Sequence, residues 1–335
     1  MKQTIDMDDR ASALHQIASR WAVGWTPSVA ARMDVADPRD PLARQFVPDP
    51  AELEAAPGEL EDPIGDGSHS PVKGVVHRYP DRVLLVPTHA CAVYCRFCFR
   101  RERVGPGGEA LSPAELERAL AYVAADSRIW EVILSGGDPL LLSPRRLGDV
   151  VRALDAIPHV QVIRVHTRVP ALDPDRVTDA LVEALRTEKA LWVVLHANHA
   201  RELDPAARAA CARIARAGIP MLAQTVLLAG VNDDPAALEA LFRALVAMRV
   251  KPYYLHHLDP APGTSRFRTS IEAGQELVRS LRGRVSGLCQ PTYVLDIPGG
   301  AGKVPIGPAY LDEARDGERR VVRDWQGKPH AYDDR

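Results

Sequence analysis

No run of apolar residues in this 335-residue chain approaches the about 20 that a membrane-spanning helix needs. The first ten residues, Met1 to Arg10, hold three acidic groups and no apolar stretch, so no signal peptide is visible and a soluble, cytoplasmic protein is expected. Neither sign of charge dominates. The 44 acidic and 42 basic residues leave a formal net charge of −2, which gives no support for a nucleic-acid or membrane-surface partner. Cysteine is scarce: five are too few for a disulfide scaffold, and in the cytosol they stay reduced. What is present is ordinary globular material, 46% hydrophobic and 26% charged, with enough apolar residues for a sizeable core. A prior of about 150 residues per domain suggests about two domains, though single α/β barrels run longer. Two counts stand out: 28 prolines and an odd number of cysteines.

Many prolines fall at a regular interval. Ser112-Pro113, Ser143-Pro144, Asp173-Pro174, Asp204-Pro205 and Asp234-Pro235 each place an N-cap residue before proline at the first helical position, at spacings of 31, 30, 31 and 30 residues. Ser112 and Glu115 also fit a capping box. Between these starts lie short apolar runs, at Glu131–Leu134, Val160–Val165, Leu191–Leu195 and Met221–Leu228, with Val83–Val86 upstream and Pro252–Leu255 and Thr292–Leu295 downstream. Strand and helix alternating at this period predict βα units around a parallel sheet of about six to seven strands. Nearly continuous apolar strands agree, because a parallel sheet is buried on both faces. The expected fold class is α/β, a full or partial (β/α) barrel, with an open doubly wound sheet as the alternative. Residues 1–70, rich in proline and acid, read as an N-terminal helical arm, residues 71–311 as the barrel and residues 312–335 as a charged peripheral tail.

Three cysteines, Cys91, Cys95 and Cys98, crowd into eight residues as C-x3-C-x2-C after the first strand, and Cys211 and Cys289 read as buried bystanders. In an α/β barrel, chemistry sits on the loops at the C-terminal ends of the strands. Structural zinc usually takes four ligands, often as two C-x2-C pairs, and no second pair exists, although His89 is available as a fourth ligand. Three cysteines on an iron–sulfur cube leave one iron open for a small molecule, which suits this spacing better. Near the C-terminus, Pro298-Gly299-Gly300-Ala301-Gly302-Lys303 differs from a P-loop, with Ile297 where the first glycine belongs and Val304 in place of Ser or Thr. A lysine on such a bare-backbone loop is a candidate for a covalent bond to pyridoxal phosphate (PLP), with an ordinary surface lysine as the alternative.

The cysteine motif, with Phe97 before its last cysteine, resembles the radical S-adenosylmethionine (SAM) superfamily, and Ser135-Gly136-Gly137-Asp138-Pro139-Leu140 resembles that superfamily's motif for the SAM amino group. Further segments, His77 to Arg82, Cys91 to Arg101, Asn198-His199, Gln224 to Leu228, Gly230 to Asp233 and Pro298 to Lys303, are similar to the lysine 2,3-aminomutase family from about Asp62 to Ile306. The resemblance implies a 4Fe–4S cluster on Cys91, Cys95 and Cys98. It places SAM against Ser135, Gly136, Gly137, Asp138, His196 and Gln224, and PLP on the catalytic Lys303 with Arg78 and Arg82 near its phosphate. It gives the substrate carboxylate to Arg100 and the substrate ammonium to Asp259 and Asp296. It implies an isomerase that interconverts L-lysine and β-lysine by 2,3-amino migration, fed by an electron donor such as flavodoxin or ferredoxin. Two acids favour lysine over glutamate, since the related glutamate enzymes place non-acidic residues there. A branch that makes β-lysine for elongation factor P is the alternative. A non-catalytic iron–sulfur module would leave Lys303, Asp259 and Asp296 without a role. Longer members bind zinc through a cysteine after the Gly-Val-Asn-Asp motif and through a C-terminal cysteine cluster. Here that position is Asp234 and no cysteine follows Cys289, so no zinc is expected. Their tetramer is thereby in doubt, although a homo-oligomer is still expected.

Overall fold

The computed structural model describes residues 7–105, 110–312 and 319–333. The first six residues of the expected arm, and residues 313–318 and 334–335 of the expected tail, lie outside the described residues. One nine-stranded sheet runs in sequence order: β1 (Val75–Tyr79), β2 (Arg82–Thr88), β3 (Glu131–Gly136), β4 (Val162–Thr167), β5 (Ala190–His196), β6 (Met221–Val226), β7 (Val250–His256), β8 (Thr292–Ile297) and β9 (Gly302–Pro305). Strands β2 to β8 are parallel to one another, and β1 and β9 pair antiparallel at the two edges. The edge strands meet through Tyr79, whose hydroxyl accepts a hydrogen bond from the Lys303 backbone N–H at 2.7 Å.

Four of the five Ser/Asp-Pro pairs start helices as expected, at Pro113–Ala125, Pro144–Asp155, Pro205–Arg216 and Pro235–Ala247, each with the cap side chain accepting an N–H of the first turn. Asp173-Pro174 does not. Asp173 closes the short helix Val169–Leu172 with its own N–H, makes no side-chain cap and leads only into a 3-10 turn at Pro174–Arg176. The helix begins instead at Asp179, capped by Thr178.

Packing divides each strand by its period of two. Ile163, Val165, Val193, Leu195, Ala223 and Leu255 are fully or almost fully buried in the main apolar cluster that the helices share. The alternate positions, Arg164, His166, His196, Gln224, Tyr254, His256 and Asp296, line a cavity of about 780 Å³. The strands are therefore apolar toward the helices and polar inside, which differs from a sheet buried in apolar contacts on both faces.

The arm contributes a helix at Met7–Arg20 and short turns, then crosses the site with residues 62–70. Within the expected tail, Arg320–Arg323 and Pro329–Tyr332 form a two-stranded hairpin joined to Leu311 by a single bridge. Among the described residues, no helix is long and apolar enough to cross a membrane.

Candidate active site

The residues that the resemblance gives to the site line a single cavity: Arg78, Arg82, Cys91, Cys95, Cys98, Arg100, Ser135, Gly136, Gly137, Asp138, His196, Gln224, Asp259, Asp296 and Lys303; His89 is not among its lining residues. The cysteines lie on the loop after β2, and all three are free. Burial pushes the Cys98 thiol up to about 11, helped by the neighbouring Cys95, and raises Cys91 further. Uncompensated, these sulfurs hold their protons; a cationic centre is what would turn them into thiolates. Among the described residues, no three His, Cys, Asp or Glu side chains converge on a point the size of one metal ion. Three soft donors spread along one cavity wall fit a multi-iron cluster in their chemistry.

One cation already faces this loop. Arg168 Nη1 lies 2.9 Å from Cys95 Sγ, while Nη2 donates to Glu202 at 2.6 Å and to Gln45 at 3.1 Å. The loop after β3 is joined to the cysteine loop by backbone bonds from Gly137 N to Thr88 O and from Asp138 N to Ala90 O, both 2.8 Å. A Cβ on Gly137 would lie 2.2 Å from the Ala90 carbonyl oxygen. Glycine is required there because the two loops touch. The Asp138 carboxylate accepts from Thr167 Oγ1 and the Arg168 N–H, both at 2.7 Å, so it also ties this loop to the end of β4. His196 and Gln224 are register partners on β5 and β6, and the His196 ring, kept neutral by burial, sits 5.8 Å from Phe97.

The glycine-rich segment before Lys303 is a hairpin turn between β8 and β9 rather than an open loop. Gly299, Gly300 and Gly302 all have positive φ, at 81°, 89° and 104°, which only glycine adopts at little cost. The turn sets Asp296 directly opposite Lys303. Side chains of such a pair share a face, and the Lys303 ammonium is ion-paired to Asp296 with His256 Nδ1 at 3.2 Å. Burial would raise the Asp296 carboxyl, but the adjacent His256 ring and the Lys303 charge hold it down at about 2. Asp259, on the loop after β7, behaves oppositely. Burial and the nearby Asp296 push it up to about 7, and its Oδ1 is buried with no hydrogen-bond partner. The site thus contains an acid in need of a cation.

Arg100 and Arg78 meet at Asp66, a buried acid from the arm, at 2.7 and 3.3 Å. Arg82 is half-exposed, paired with Asp81 at 2.6 Å and stacked on Tyr79 with its guanidinium carbon 3.8 Å from the ring centroid. Asp66, Arg168 and His256 are the members that sequence reasoning did not single out. His256 directly follows the apolar run Pro252–Leu255, and the other two carry no local pattern.

The family model described as the radical SAM superfamily matches residues 85–241, and that described as lysine-2,3-aminomutase matches residues 278–334. An L-lysine 2,3-aminomutase from Acetoanaerobium sticklandii is 41% identical over 309 residues, covering 92% of this chain and 74% of the relative. An Escherichia coli protein of the same name is 38% identical over 303 residues, covering 90% and 88%. A glutamate 2,3-aminomutase from Clostridioides difficile is 35% identical over 309 residues, covering 92% and 72%. The chain belongs to the lysine 2,3-aminomutase family of the radical SAM superfamily, a family of isomerases whose chemistry runs on a 4Fe–4S cluster and SAM.

Proposed function

We propose that the protein moves the α-amino group of L-lysine from C2 to C3, with PLP on Lys303 and the cluster on Cys91, Cys95 and Cys98. The observation that carries the lysine assignment is Asp259, a buried carboxyl with an unpartnered oxygen, raised to about 7 beside Asp296. A side-chain ammonium between these two acids offsets the burial and the repulsion that raise Asp259. A glutamate carboxylate in the same place would add to it.

When bound, SAM and the cluster supply a hydrogen-abstracting radical, and PLP supplies the π-system that carries the nitrogen between carbons. The chain's own residues position and protect the reactants. Arg100 offers its terminal nitrogens to the substrate carboxylate, while Asp66 holds its Nε edge at 2.7 Å. Arg78 and Arg82 take the phosphate, with Tyr79 between them and the Lys303 backbone. Ser135, Gly136, Gly137, Asp138, His196 and Gln224 frame the SAM side. Phe97, Leu258 and Val294 line the same cavity and limit water around the reacting carbons. Electrons come from a flavodoxin- or ferredoxin-like donor.

Anaerobic reconstitution with iron, sulfide, PLP and SAM, followed by separate incubations with L-lysine, L-glutamate and unmodified elongation factor P, tests this reading. β-Lysine from free lysine, with no β-glutamate, is the expected result. A β-amino product that appears only on the elongation factor would move the substrate assignment to a protein lysine, and β-glutamate would overturn the role given to the two acids.

A further inference from the structure

The Lys303 ammonium has two acceptors. Asp296 pairs with it directly, and His256 Nδ1 lies 3.2 Å away, itself 3.6 Å from Asp296 Oδ2. The two acceptors differ as bases. Asp296, held at about 2, is too acidic to remove a proton near neutrality. His256 is an imidazole that burial, and then the Lys303 charge, keep below the ordinary histidine value against the opposing pull of Asp296. It is therefore neutral. For a neutral ring whose Nδ1 faces an ammonium, that nitrogen is the lone pair and the ring proton sits on Nε2. The His256 Nε2 is buried and has no hydrogen-bond partner, so no donor holds that nitrogen as the acceptor instead. Among the described residues, Lys303 Nζ makes no third hydrogen bond to another base, and Asp259, though raised to about 7, does not reach it. Tyr254 meets the His256 ring edge-on at 5.6 Å and has its phenol raised, and His166 and His196 are held neutral by burial.

We propose that His256 is the proton-transfer residue for Lys303, taking the Nζ proton when PLP is attached and returning it as water leaves. The inference rests on the reading of Lys303 as the PLP lysine and deepens it. The ammonium gives one proton to His256 Nδ1, and the freed Nζ lone pair forms a bond to the aldehyde carbon. His256 then returns its proton to the departing oxygen, which leaves as water with the second proton drawn from Nζ. The product is a protonated carbon–nitrogen double bond of the same total charge, with no oxidant or reductant required. Asp296 fixes the ammonium during this exchange and steadies the imidazolium that forms.

The test uses the full chain without PLP. PLP is added, the visible absorption band is followed in time, and borohydride trapping with mass spectrometry locates the label, at pH values from about 6 to 9. For His256→Asn, which keeps an acceptor but not a base, the loading rate at neutral pH is expected to fall by at least about tenfold. Its pH profile should move upward, while final occupancy is retained. In His256→Ala, added imidazole should restore part of the rate, which a purely structural defect would not allow. Loading of His256→Asn at the wild-type rate and with the wild-type pH profile would overturn the inference alone. A wild-type protein that takes no label at Lys303 would overturn the PLP reading and this inference with it.

Discussion

Asp259 and Asp296 show how one residue type is shifted in opposite directions within one cavity: contact with Lys303 and His256 lowers one carboxyl, while burial raises the other.

 A lysine-shaped ligand needs both acids charged, so its affinity should rise as pH increases toward about 7, where Asp259 loses its proton, and then level off. 6-Aminohexanoate, which carries the ammonium and carboxylate without an α-amine, serves as the calorimetric probe. Asp259→Asn should weaken it by roughly a hundredfold and flatten the pH dependence; an unchanged slope would remove Asp259 from the ammonium site. At this scale the sequence was legible where chemistry is local. Cys91, Cys95 and Cys98 lie on one loop, and Lys303 faces Asp296 across a tight hairpin. Asp66 and Arg168 were not legible because their partners are remote: Arg168 reaches Cys95 across 73 positions, and Asp66 reaches Arg100 across 34.

Between elements, the contact of the cysteine loop with the loop after β3 decides whether the cluster and SAM sides of the cavity stay in register. Gly137→Ala would force a methyl group to 2.2 Å from the Ala90 carbonyl, a backbone atom that cannot move without the cysteine loop. Iron and sulfide content after reconstitution should fall, with a stability loss of about 1–3 kcal/mol. Gly287→Ala meets open space and should stay within about 0.5 kcal/mol of wild type in thermal unfolding. Equal iron content in the two variants would show that the loop contact does not matter to the cluster. The helix starts were readable from cap and proline chemistry because both act within one turn, as at Ser112 and Asp234. Asp173-Pro174 misled because the preceding Val169–Leu172 turn takes the Asp173 N–H. Strand β9 was hidden because its short sequence reads as a glycine loop until β8 pairs with it.

Across the molecule, the length prior of two domains gives way to one sheet in sequence order, with the arm built into its working end. Glu52 of the arm is fully buried and joins Arg96 and Arg101 of the cysteine loop, both at 2.5 Å, to Arg266 at 3.5 Å. Glu52→Gln would leave these buried guanidinium groups without their shared anion, at a cost of about 3–5 kcal/mol. Both the unfolding temperature and the iron bound after reconstitution should drop, and retention of both would argue that the arm is dispensable to the cluster loop. The alternation of β and α was legible because helix caps and apolar strands recur at constant spacing. The polar interior was not, because Arg164, His166 and His256 look like interruptions of apolar runs until the period of two places them together. The most direct test of the whole account is anaerobic turnover of L-lysine labelled with nitrogen-15 at the α-amino group. The account predicts β-lysine with the label on C3 and none lost to solvent, in wild type but not in Lys303→Ala. Label released to solvent, or β-lysine formed equally well by Lys303→Ala, would contradict it.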